Sequence, residues 1–434
     1  MIFSKYNYLF DSKKYGYFIY NSRTNSFLKL DKSLYKTLLE HQKSNANNIV
    51  LEPETLDILN KSKVFVSQNE DNNFYTQRKF IKYQKCFSVT DMGIVIAPTM
   101  ACNFMCPYCY EADLPATVMS EEVQSEVIKF IESNNGSNNL TLCWHGGEPL
   151  LAFDAMKNIL DNIENSDKIN LRSHQLVTNG YLLDQDKVEY LKKHNLNSVQ
   201  ITIDGLPERH NQSRKHKSGV PTYDKIINNI ENLVKIAPEC HVNIRVNIHE
   251  DNKEDFPILY NTLSDKWKHN NVNVNMVFTE DFGNCKVKCL SKKEYVDFYK
   301  NLKNSHDIKE VSFYPKPKDI GCTVDYTNSC IVGPTGDLYK CWVDLGKEDR
   351  IIGNIFSNER NYAILSEYII GTDIFNDPKC KDCLLFPICD GGCSLFRYEH
   401  KLNGTEYNVC PINFEDLPKL LELHYEQGLN KLEE

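Results

Sequence analysis

Residues 102–109, Cys102-Asn-Phe-Met-Cys106-Pro-Tyr-Cys109, carry the strongest structural signal in this chain of 434 residues. They place three thiols at intervals of four and three residues, directly after an apolar, strand-like segment at 93–98. Three cysteines in one short loop can hold three irons of a [4Fe–4S] cube and leave the fourth iron open to an outside ligand. On these residues alone, the alternatives are a zinc knuckle and an ordinary ferredoxin loop.

Around this loop, strands and helices alternate regularly. The predicted strands are 93–98, 140–144, 175–178, 199–203, 242–248 and 272–278, with helices such as 120–133, 187–194 and 223–236 between them. Six such units imply a parallel sheet with right-handed crossovers. The sequence therefore predicts an α/β fold with a partial (β/α)6 barrel over residues 93–310, with its chemistry at the carboxyl ends of the strands.

Polar motifs stand at the ends of three of these strands: Gly146-Gly147-Glu148-Pro149, Thr178-Asn179-Gly180 and Thr202-Ile-Asp204-Gly205. Glycines let the backbone approach a ligand closely, and Glu148 offers a carboxylate to an ammonium group. Arg214 offers a guanidinium to a carboxylate; an ion pair or a surface charge is the alternative. Arg245 and Asn247 alternate on the fifth strand and so point to one face.

The CxxxCxxC spacing, with Tyr108 before its last cysteine, and the GGEP motif resemble the radical S-adenosylmethionine (SAM) enzymes. In that family the open iron chelates SAM and cleaves it to a 5′-deoxyadenosyl radical. Thr202 stands where the related S-[IL]-D-G motif has Ser, and Tyr108 either packs against adenine or belongs to the core. The resemblance implies a cluster on Cys102, Cys106 and Cys109, and SAM contacts from Tyr108, Gly146, Gly147, Glu148, Asn179, Thr202, Asp204 and Arg214.

The C-terminal cysteines form a second pattern, Cys322, Cys330, Gly336-x4-Cys341, Cys380-x2-Cys383-x5-Cys389-x3-Cys393 and Cys410. This pattern resembles the SPASM domain, which binds auxiliary iron–sulfur clusters, and we assign it to residues 311–434, ending in a helix over about 416–434. The resemblance implies two further [4Fe–4S] clusters, although the seven-cysteine motif does not specify Cys330. A pair of zinc sites is the alternative. The implied ligand sets are Cys322, Cys330, Cys341 and Cys393 for cluster I, and Cys380, Cys383, Cys389 and Cys410 for cluster II.

Residues 1–66 are predicted to form three strands, 6–10, 17–20 and 26–30, and two helices, 31–42 and 52–60. This order resembles the winged-helix-like recognition element of enzymes that modify ribosomally made peptides (RiPPs). The resemblance implies that a leader peptide binds as an added strand. A DNA-binding winged helix and a structural cap are the alternatives. Residues 67–92 are polar and are predicted to be an irregular linker.

Charge and composition limit the classes of function. Residues 1–66 hold ten Lys and Arg against six Asp and Glu, a net charge of +4, while the whole chain carries −9. A basic segment on an acidic body suits an acidic peptide or nucleic acid, but also an ordinary surface. We expect a cytoplasmic protein, because 16 cysteines occur without an export signal and no window of eighteen residues is continuously apolar.

Together these patterns predict a radical SAM peptide maturase that installs a crosslink, as a Cys thioether, in a ribosomal precursor peptide bound through its leader. The expected partners include a reductant such as flavodoxin or ferredoxin. Carbon–carbon crosslinking, epimerisation and formylglycine formation by a sulfatase maturase are the alternatives within the family. Sulfatase maturases place an Asp directly after the cysteine of the G-x4-C motif, whereas Trp342 follows Cys341 here. A non-catalytic iron–sulfur or zinc protein is the alternative from another class.

Overall fold

The structure, a computed structural model, describes residues 1–44, 49–134, 139–306, 308, 314–315, 321–389, 391–404, 409–410 and 412–433. Its strands, in chain order, are β1 Ile2–Phe3, β2 Asn7–Ser12, β3 Gly16–Asn21, β4 Ser26–Leu30, β5 Phe65–Val66, β6 Asp91–Ile96, β7 Asn139–Trp144, β8 Asn170–Thr178, β9 Leu196–Thr202, β10 His241–Ile248, β11 Val272–Phe278, β12 Ser329–Val332, β13 Asp337–Tyr339 and β14 Gly353–Asn354.

The helices, in chain order, are α1 Lys32–Ser44, α2 Pro53–Lys61, α3 Glu70–Cys86, α4 Glu121–Asn134, α5 Phe153–Glu164, α6 Gln185–Lys193, α7 Pro207–Ser213, α8 Tyr223–Ile236, α9 Phe256–Lys266, α10 Lys292–His306, α11 Tyr362–Ser366, α12 Pro378–Lys381, α13 Ser394–Asn403 and α14 Leu417–Glu433. Among the described residues, every helix is too short or too polar to cross a lipid bilayer.

These elements form two compact units. The first, called the terminal unit below, contains Met1–Phe87, Lys292–Asp325 and Glu367–Glu434. The second, called the barrel unit, contains Ser88–Ser291 and Tyr326–Ser366. The functions predicted for residues 1–66, 93–310 and 311–434 stay predictions.

The barrel unit is built on one nine-stranded sheet with the order β11-β10-β9-β8-β7-β6-β12-β13-β14. Neighbouring strands from β6 to β11 are all parallel. Helices α4 to α9 make the connections between these six strands. The predicted α/β fold with a partial (β/α)6 barrel is therefore confirmed.

The apolar faces of this unit follow from two periods in the sequence, one of two residues in the strands and one of three to four residues in the helices. On β10, Val242, Ile244 and Val246 are buried, while Asn243 and Arg245 alternate with them on the other face. Residues spaced by three or four positions share one face of a helix and pack against the sheet. On α8 and α5 the buried residues include Ile226, Ile230, Leu233, Met156, Ile159, Leu160 and Ile163.

A seventh parallel strand, β12, joins the sheet beside β6, with Cys330 opposite Ile94. It was not among the six predicted strands, because its partner β6 lies more than two hundred positions earlier in the sequence. The buried Ile331 packs with Val95, Ala97 and Met100. This strand therefore extends the barrel sheet with residues that were assigned to the C-terminal cysteine-rich region.

The predicted N-terminal elements are present in the terminal unit. Strands β2, β3 and β4 form an antiparallel sheet, followed by α1 and α2. The Asp31 carboxylate accepts a hydrogen bond from the Leu34 N–H at 2.9 Å and so caps α1. Pro53 occupies the first turn of α2, where its missing N–H costs nothing.

The prediction of an irregular linker over 67–92 was wrong, because Glu70–Cys86 form the 17-residue helix α3. Phe74 and Tyr75 of this helix pack against Phe386, with the Tyr75 and Phe386 ring centroids 5.0 Å apart. The apolar face is short, and the segment is otherwise polar. Tertiary packing rather than a strong apolar period therefore stabilises this helix.

Early and late parts of the chain share one hydrophobic core in the terminal unit. Phe10, Phe18 and Tyr20 of the N-terminal sheet are buried in one cluster with the late residues Leu384, Leu385, Ile388, Leu417 and Leu421. The predicted C-terminal helix is present as α14, and its Leu417 and Leu421 are part of this cluster.

Candidate active site at the carboxyl ends of the barrel strands

A cavity of about 350 Å³ opens at the carboxyl ends of the barrel strands, a size typical of small-molecule sites. It collects most of the residues that the sequence predicted to bind a cofactor. Of these, the cavity is lined by Cys102, Cys106, Cys109, Tyr108, Gly146, Gly147, Asn179, Thr202 and Arg214. Glu148 and Asp204 are fully buried and do not line it.

The three thiols of the first cysteine motif lie in a poorly solvated environment. Burial raises the pKa of Cys106 to about 12 and that of Cys109 to about 11, and it also raises the pKa of Cys102. The cation Arg214 opposes this effect, and the neighbouring Cys109 and Cys102 add to it at Cys106. Three partly buried thiols that affect one another fit a bound metal cluster, which would supply the positive charge that their deprotonation needs.

The two glycines of the GGEP motif are required by close backbone packing. Gly147 donates a hydrogen bond to the Thr99 carbonyl at 3.2 Å, and a Cβ at Gly147 would lie 2.5 Å from the Met100 carbonyl oxygen and also overlap Ala101. Gly146 has φ +113°, a conformation that other residues rarely adopt. The motif is therefore shaped to lie against the backbone that leads into the cysteine loop.

Glu148 connects the ends of two strands. Its carboxylate accepts hydrogen bonds from the Thr178 hydroxyl at 2.7 Å, the Asn179 N–H at 2.8 Å and the Leu150 N–H at 3.1 Å. Burial raises the pKa of Glu148, and these hydrogen bonds oppose that effect. The carboxylate that we expected to face an ammonium group is thus already a hydrogen-bonded link between β7 and β8.

Asn179 links the third strand to the cysteine loop. Its side-chain amide donates a hydrogen bond to the Asn103 side-chain oxygen at 2.7 Å, and its own oxygen accepts one from the Tyr181 N–H at 2.9 Å. Asn103 directly follows Cys102, so this contact helps to position the first thiol of the motif.

Tyr108, Asp204 and Arg214 form one buried polar network. The Tyr108 hydroxyl donates to the Asp204 carboxylate and accepts a hydrogen bond from Arg214 at 2.6 Å. Arg214 also pairs with Asp204 at 3.5 Å, and Asp204 accepts a further hydrogen bond from the Asn247 N–H at 2.9 Å. The network joins the cysteine loop to the strand end that carries Asp204. Arg214 thus forms an ion pair, which we considered as the alternative to binding a cofactor carboxylate.

His145 and Tyr110 also line the cavity, although the sequence did not single them out. Gly146 donates its N–H to His145 Nδ1 at 2.5 Å, and His145 Nε2 lies 3.2 Å from the Tyr110 hydroxyl. Burial, with a smaller contribution from Arg245, lowers the pKa of His145 to about 3, so the imidazole is neutral and donates from Nε2. Only their positions in the sequence could have indicated these two residues, because His145 directly precedes the GGEP motif and Tyr110 directly follows Cys109.

Two more groups stand beside this histidine. Burial raises the pKa of Glu111 to about 8, and its carboxylate lies 3.6 Å from His145 Nδ1. The Trp342 ring packs edge-on against His145, with centroids 4.4 Å apart. Trp342 follows Cys341 in the chain, so the segment after β13 contributes directly to this part of the barrel unit.

The second cysteine pattern is distributed over both units. Cys330 and Cys341 belong to the barrel unit. The other six cysteines of the pattern belong to the terminal unit, and they are Cys322, Cys380, Cys383, Cys389, Cys393 and Cys410.

The four thiols assigned to cluster II interact electrostatically. Burial raises the pKa of Cys389, and Cys410 and Cys383 raise it further. Burial also raises the pKa of Cys380 to about 11, with a smaller contribution from Cys389. Arg397 donates to the Cys380 sulfur at 3.4 Å, a contact that suits a thiolate ligand.

Cys330 has a different environment from the other cysteines of the pattern. Its thiol is completely buried on β12, and burial raises its pKa to about 11, while Lys340 and Arg360 lower it. Its neighbour Ile331 packs against Val95, and adjacent strand residues point to opposite faces. Cys330 therefore points away from that core, and its role as a ligand stays a prediction.

Comparison with known proteins gives a consistent assignment. Residues 96–263 match the family model of the radical SAM superfamily. A cysteine-type anaerobic sulfatase-maturating enzyme of Clostridium novyi (strain NT) is 24% identical over 374 residues, which cover 79% of this chain and 96% of that enzyme.

Two solved structures share the fold. The first is native anSMEcpe with bound AdoMet and Cp18Cys peptide, with a TM-score of 0.58, 20% identity and coverage of 78% of this chain and 98% of that chain. The second is Streptococcus suis SuiB bound to precursor peptide SuiA, with a TM-score of 0.52, 16% identity and coverage of 95% of this chain and 100% of that chain. Together with the cysteine loop and the GGEP turn at one cavity, these matches identify residues 96–263 as a radical SAM domain, a class whose cofactors are SAM and a [4Fe–4S] cluster.

Proposed function

We propose that this protein is a radical SAM peptide maturase that installs an intrapeptide crosslink, a Cys thioether, in a ribosomal precursor peptide. The observation that carries the proposal is the pairing of Trp342 with His145 beside the cavity. Sulfatase maturases have an Asp at the position of Trp342. This chain therefore has an aromatic ring against His145 at the position where that subgroup has its Asp.

The cofactors, when bound, supply a 5′-deoxyadenosyl radical that removes a hydrogen atom from the peptide. Cys102, Cys106 and Cys109 would hold the cluster, and the backbone of Gly146 and Gly147 would lie beside SAM. Glu148, Asn179 and the Tyr108–Asp204–Arg214 network keep these groups in place through the hydrogen bonds described above. Thr202 and Arg214 face the cavity, where a hydroxyl and a guanidinium suit the ribose and the carboxylate of SAM.

The eight cysteines of the second pattern are proposed to bind two auxiliary clusters, with the ligand sets Cys322, Cys330, Cys341 and Cys393 for cluster I and Cys380, Cys383, Cys389 and Cys410 for cluster II. Clusters with four protein thiolates suit electron transfer. In thioether formation an electron must leave the substrate when sulfur couples to a carbon radical. A flavodoxin or a ferredoxin is the proposed external reductant for SAM cleavage.

The sheet β2–β3–β4 is proposed to bind the leader of the precursor. It has two edge strands, β2 and β4, and an edge strand offers unpaired backbone groups to an added strand. Solved SuiB, which has the same overall fold, was bound to a precursor peptide. This supports a leader-bound ribosomal peptide as the substrate class.

A sulfatase maturase is the second candidate function. The similarity to the Clostridium novyi enzyme favours it, since the match covers 96% of that enzyme. In this reading the substrate is a Cys or Ser side chain of a sulfatase, which is oxidised to formylglycine. The two candidates differ in product, because a crosslink joins two residues and formylglycine is an aldehyde on one.

The deciding experiment is anaerobic coexpression with two peptides, a cysteine-rich precursor encoded beside the gene and a sulfatase-derived peptide. We expect the precursor to lose two hydrogens per crosslink and its modified cysteines to resist alkylation. A mass loss with cysteines that still alkylate indicates a carbon–carbon link. Aldehyde labelling of the sulfatase peptide, with an unmodified precursor, would replace our proposal with the second candidate. Coexpression with the Cys106→Ala variant is the control for radical chemistry.

A further inference from the structure

Cys285 and Cys289 form a close thiol pair in the loop between β11 and α10. Their sulfurs are 3.6 Å apart, and both residues are partly exposed. Neither belongs to the cysteine patterns assigned to clusters. The two sulfurs must approach by about 1.5 Å to reach the disulfide bond length of about 2.0 Å.

The local backbone holds the two thiols in this arrangement. The Asp281 carboxylate accepts hydrogen bonds from the Gly283 N–H at 2.7 Å and from the Cys285 N–H at 3.3 Å. These two hydrogen bonds restrain the backbone just before Cys285. The Cys285 sulfur also lies 3.4 Å from the Val287 carbonyl oxygen, within the segment that leads to Cys289.

The segment between the two cysteines is anchored to the catalytic end of the barrel. Lys286 donates its N–H to the Pro107 carbonyl at 2.8 Å, inside the CxxxCxxC loop. The Lys288 carbonyl accepts a hydrogen bond from the Glu250 N–H at 3.0 Å. Closing a ring from Cys285 to Cys289 must therefore change the backbone that carries both anchors.

The same loop forms part of the cavity wall. Phe282 lines the cavity, and its ring packs edge-on against Tyr110 with centroids 5.9 Å apart. Tyr110 directly follows Cys109. A change in the loop would thus act both on the cavity wall and on the segment that bears the cluster thiols.

The two thiols differ in reactivity. Burial raises the pKa of Cys289 to about 12, and its hydrogen bond with Cys285 contributes. Cys289 therefore keeps its proton, and we assign the first attack to Cys285.

We propose that Cys285 and Cys289 are a redox-active pair that forms a reversible disulfide and thereby weakens SAM binding in the adjacent cavity. With a glutathione-type disulfide as oxidant, the Cys285 thiolate attacks one sulfur and releases one thiolate. Cys289 then displaces the second thiol, and its proton passes to the leaving sulfur. The pair loses two electrons and two protons in total, and the oxidant is reduced to two thiols.

The test treats the reconstituted holoenzyme anaerobically with oxidised glutathione, blocks free thiols with an alkylating reagent and analyses the peptide that contains residues 279–291 by mass spectrometry. We expect this peptide to lose two hydrogens, to escape alkylation and to recover on reduction. The Cys289→Ser variant should stop at one glutathione adduct on Cys285. Alkylation of both cysteines after the treatment would overturn the proposal, as would a zinc ion bound to the pair.

The functional arm compares SAM dissociation constants before and after oxidation in the wild type and in the Cys285→Ser/Cys289→Ser double variant. We expect about a fivefold weakening in the wild type only, the factor that the loss of one hydrogen bond produces. An equal loss in the double variant would assign the effect to cluster damage and contradict the proposal. A disulfide with unchanged SAM affinity would also contradict it. None of these readouts depends on which peptide the enzyme modifies.

Discussion

The Thr178 hydroxyl donates a 2.7 Å hydrogen bond to the fully buried carboxylate of Glu148. This contact joins the end of β8 to the GGEP turn after β7, thirty positions earlier in the chain. The motif that we expected to offer its carboxylate to the cofactor uses it to hold two strand ends together. A change at Glu148 is therefore expected to act on local stability and on the cofactor binding proposed at this turn.

Replacement of Glu148 should reduce both stability and SAM affinity. The two Glu148 oxygens accept three hydrogen bonds, and Glu148→Gln replaces one of them with an amide NH2 group that cannot accept. The buried donors that lose their acceptor should lower the unfolding free energy by about 1–3 kcal/mol. Denaturant unfolding and SAM binding measure the two effects. Thr178→Val removes one of these three hydrogen bonds and the one that the Thr178 hydroxyl accepts from the Gly180 N–H at 3.0 Å, and it should give a smaller loss in each. Weaker SAM binding with unchanged stability in Glu148→Gln would contradict the structural role.

Gly147→Ala should prevent normal SAM binding. The added methyl group would lie 2.5 Å from the Met100 carbonyl oxygen, so either the GGEP turn or the cysteine loop must move. Gly428→Ala is the matched control, because a Cβ there meets no atom within 4 Å on helix α14 and should stabilise the helix by about 0.5–1 kcal/mol. Equal SAM affinity in the two variants would show that the packing at Gly147 is not restrictive.

Loss of one cluster II ligand should be visible in the metal content. Cys380→Ala should lower the iron content by about four per chain, because the proposed cluster II is a [4Fe–4S] cluster with Cys380 among its four ligands. Cys240→Ala, which removes a buried thiol outside every predicted ligand set, should leave iron unchanged. Iron and zinc analysis measures both. Zinc in place of iron in the wild type would support the alternative of zinc sites.

The same measurement applies to Cys330, the ligand that the seven-cysteine motif does not specify. If Cys330 binds cluster I as proposed, Cys330→Ala should lose iron and Cys240→Ala should not. Both thiols are buried in or beside a strand, so the two alanine variants should lose similar stability from the small cavity that each creates. Full iron content in Cys330→Ala would remove this residue from the ligand set.

Glu426 should contribute a pH-dependent part of the stability of the terminal unit. Burial would raise its pKa, but hydrogen bonds from Lys303, Tyr15 and Lys14 outweigh this and lower it to about 2, below the ordinary value of 4.5. The contribution is therefore complete above about pH 4.5 and is lost as the pH falls from there toward 2.

Glu426→Gln should accordingly lower the unfolding free energy by about 1 kcal/mol, after allowance for solvent screening of a partly exposed group. The deficit should be the same from about pH 6 to about pH 8, as measured by denaturant unfolding, because Glu426 stays ionised throughout that range. Tyr15→Phe removes a single 2.5 Å hydrogen bond and should cost less. A deficit that changes across this range would contradict the assignment to Glu426.

The polar and cysteine residues at the carboxyl ends of the barrel strands were predictable from local sequence. The cysteine loop, the GGEP turn, Asn179 and Thr202 each lie at or just after the end of a parallel strand, and such strand ends meet at one edge of a sheet. Their convergence on one cavity required only the order and direction of the strands. By contrast, α3 was missed because its few aromatic residues make a weak period, and its packing partners lie about three hundred positions later.

The sequence by itself determined the alternation of strands and helices and the residue types at the strand ends, because both depend on patterns within a few positions. Only the tertiary structure decided which of these side chains face the cavity and which are buried behind it. Glu148 lies behind the cavity, where it accepts a hydrogen bond from Thr178. Asp204 also lies behind it, where it accepts a hydrogen bond from Tyr108, 96 positions away in the sequence. The same holds for the contact of His145 with Trp342. Contacts between distant positions depend on how the whole sheet packs, and no local pattern encodes them.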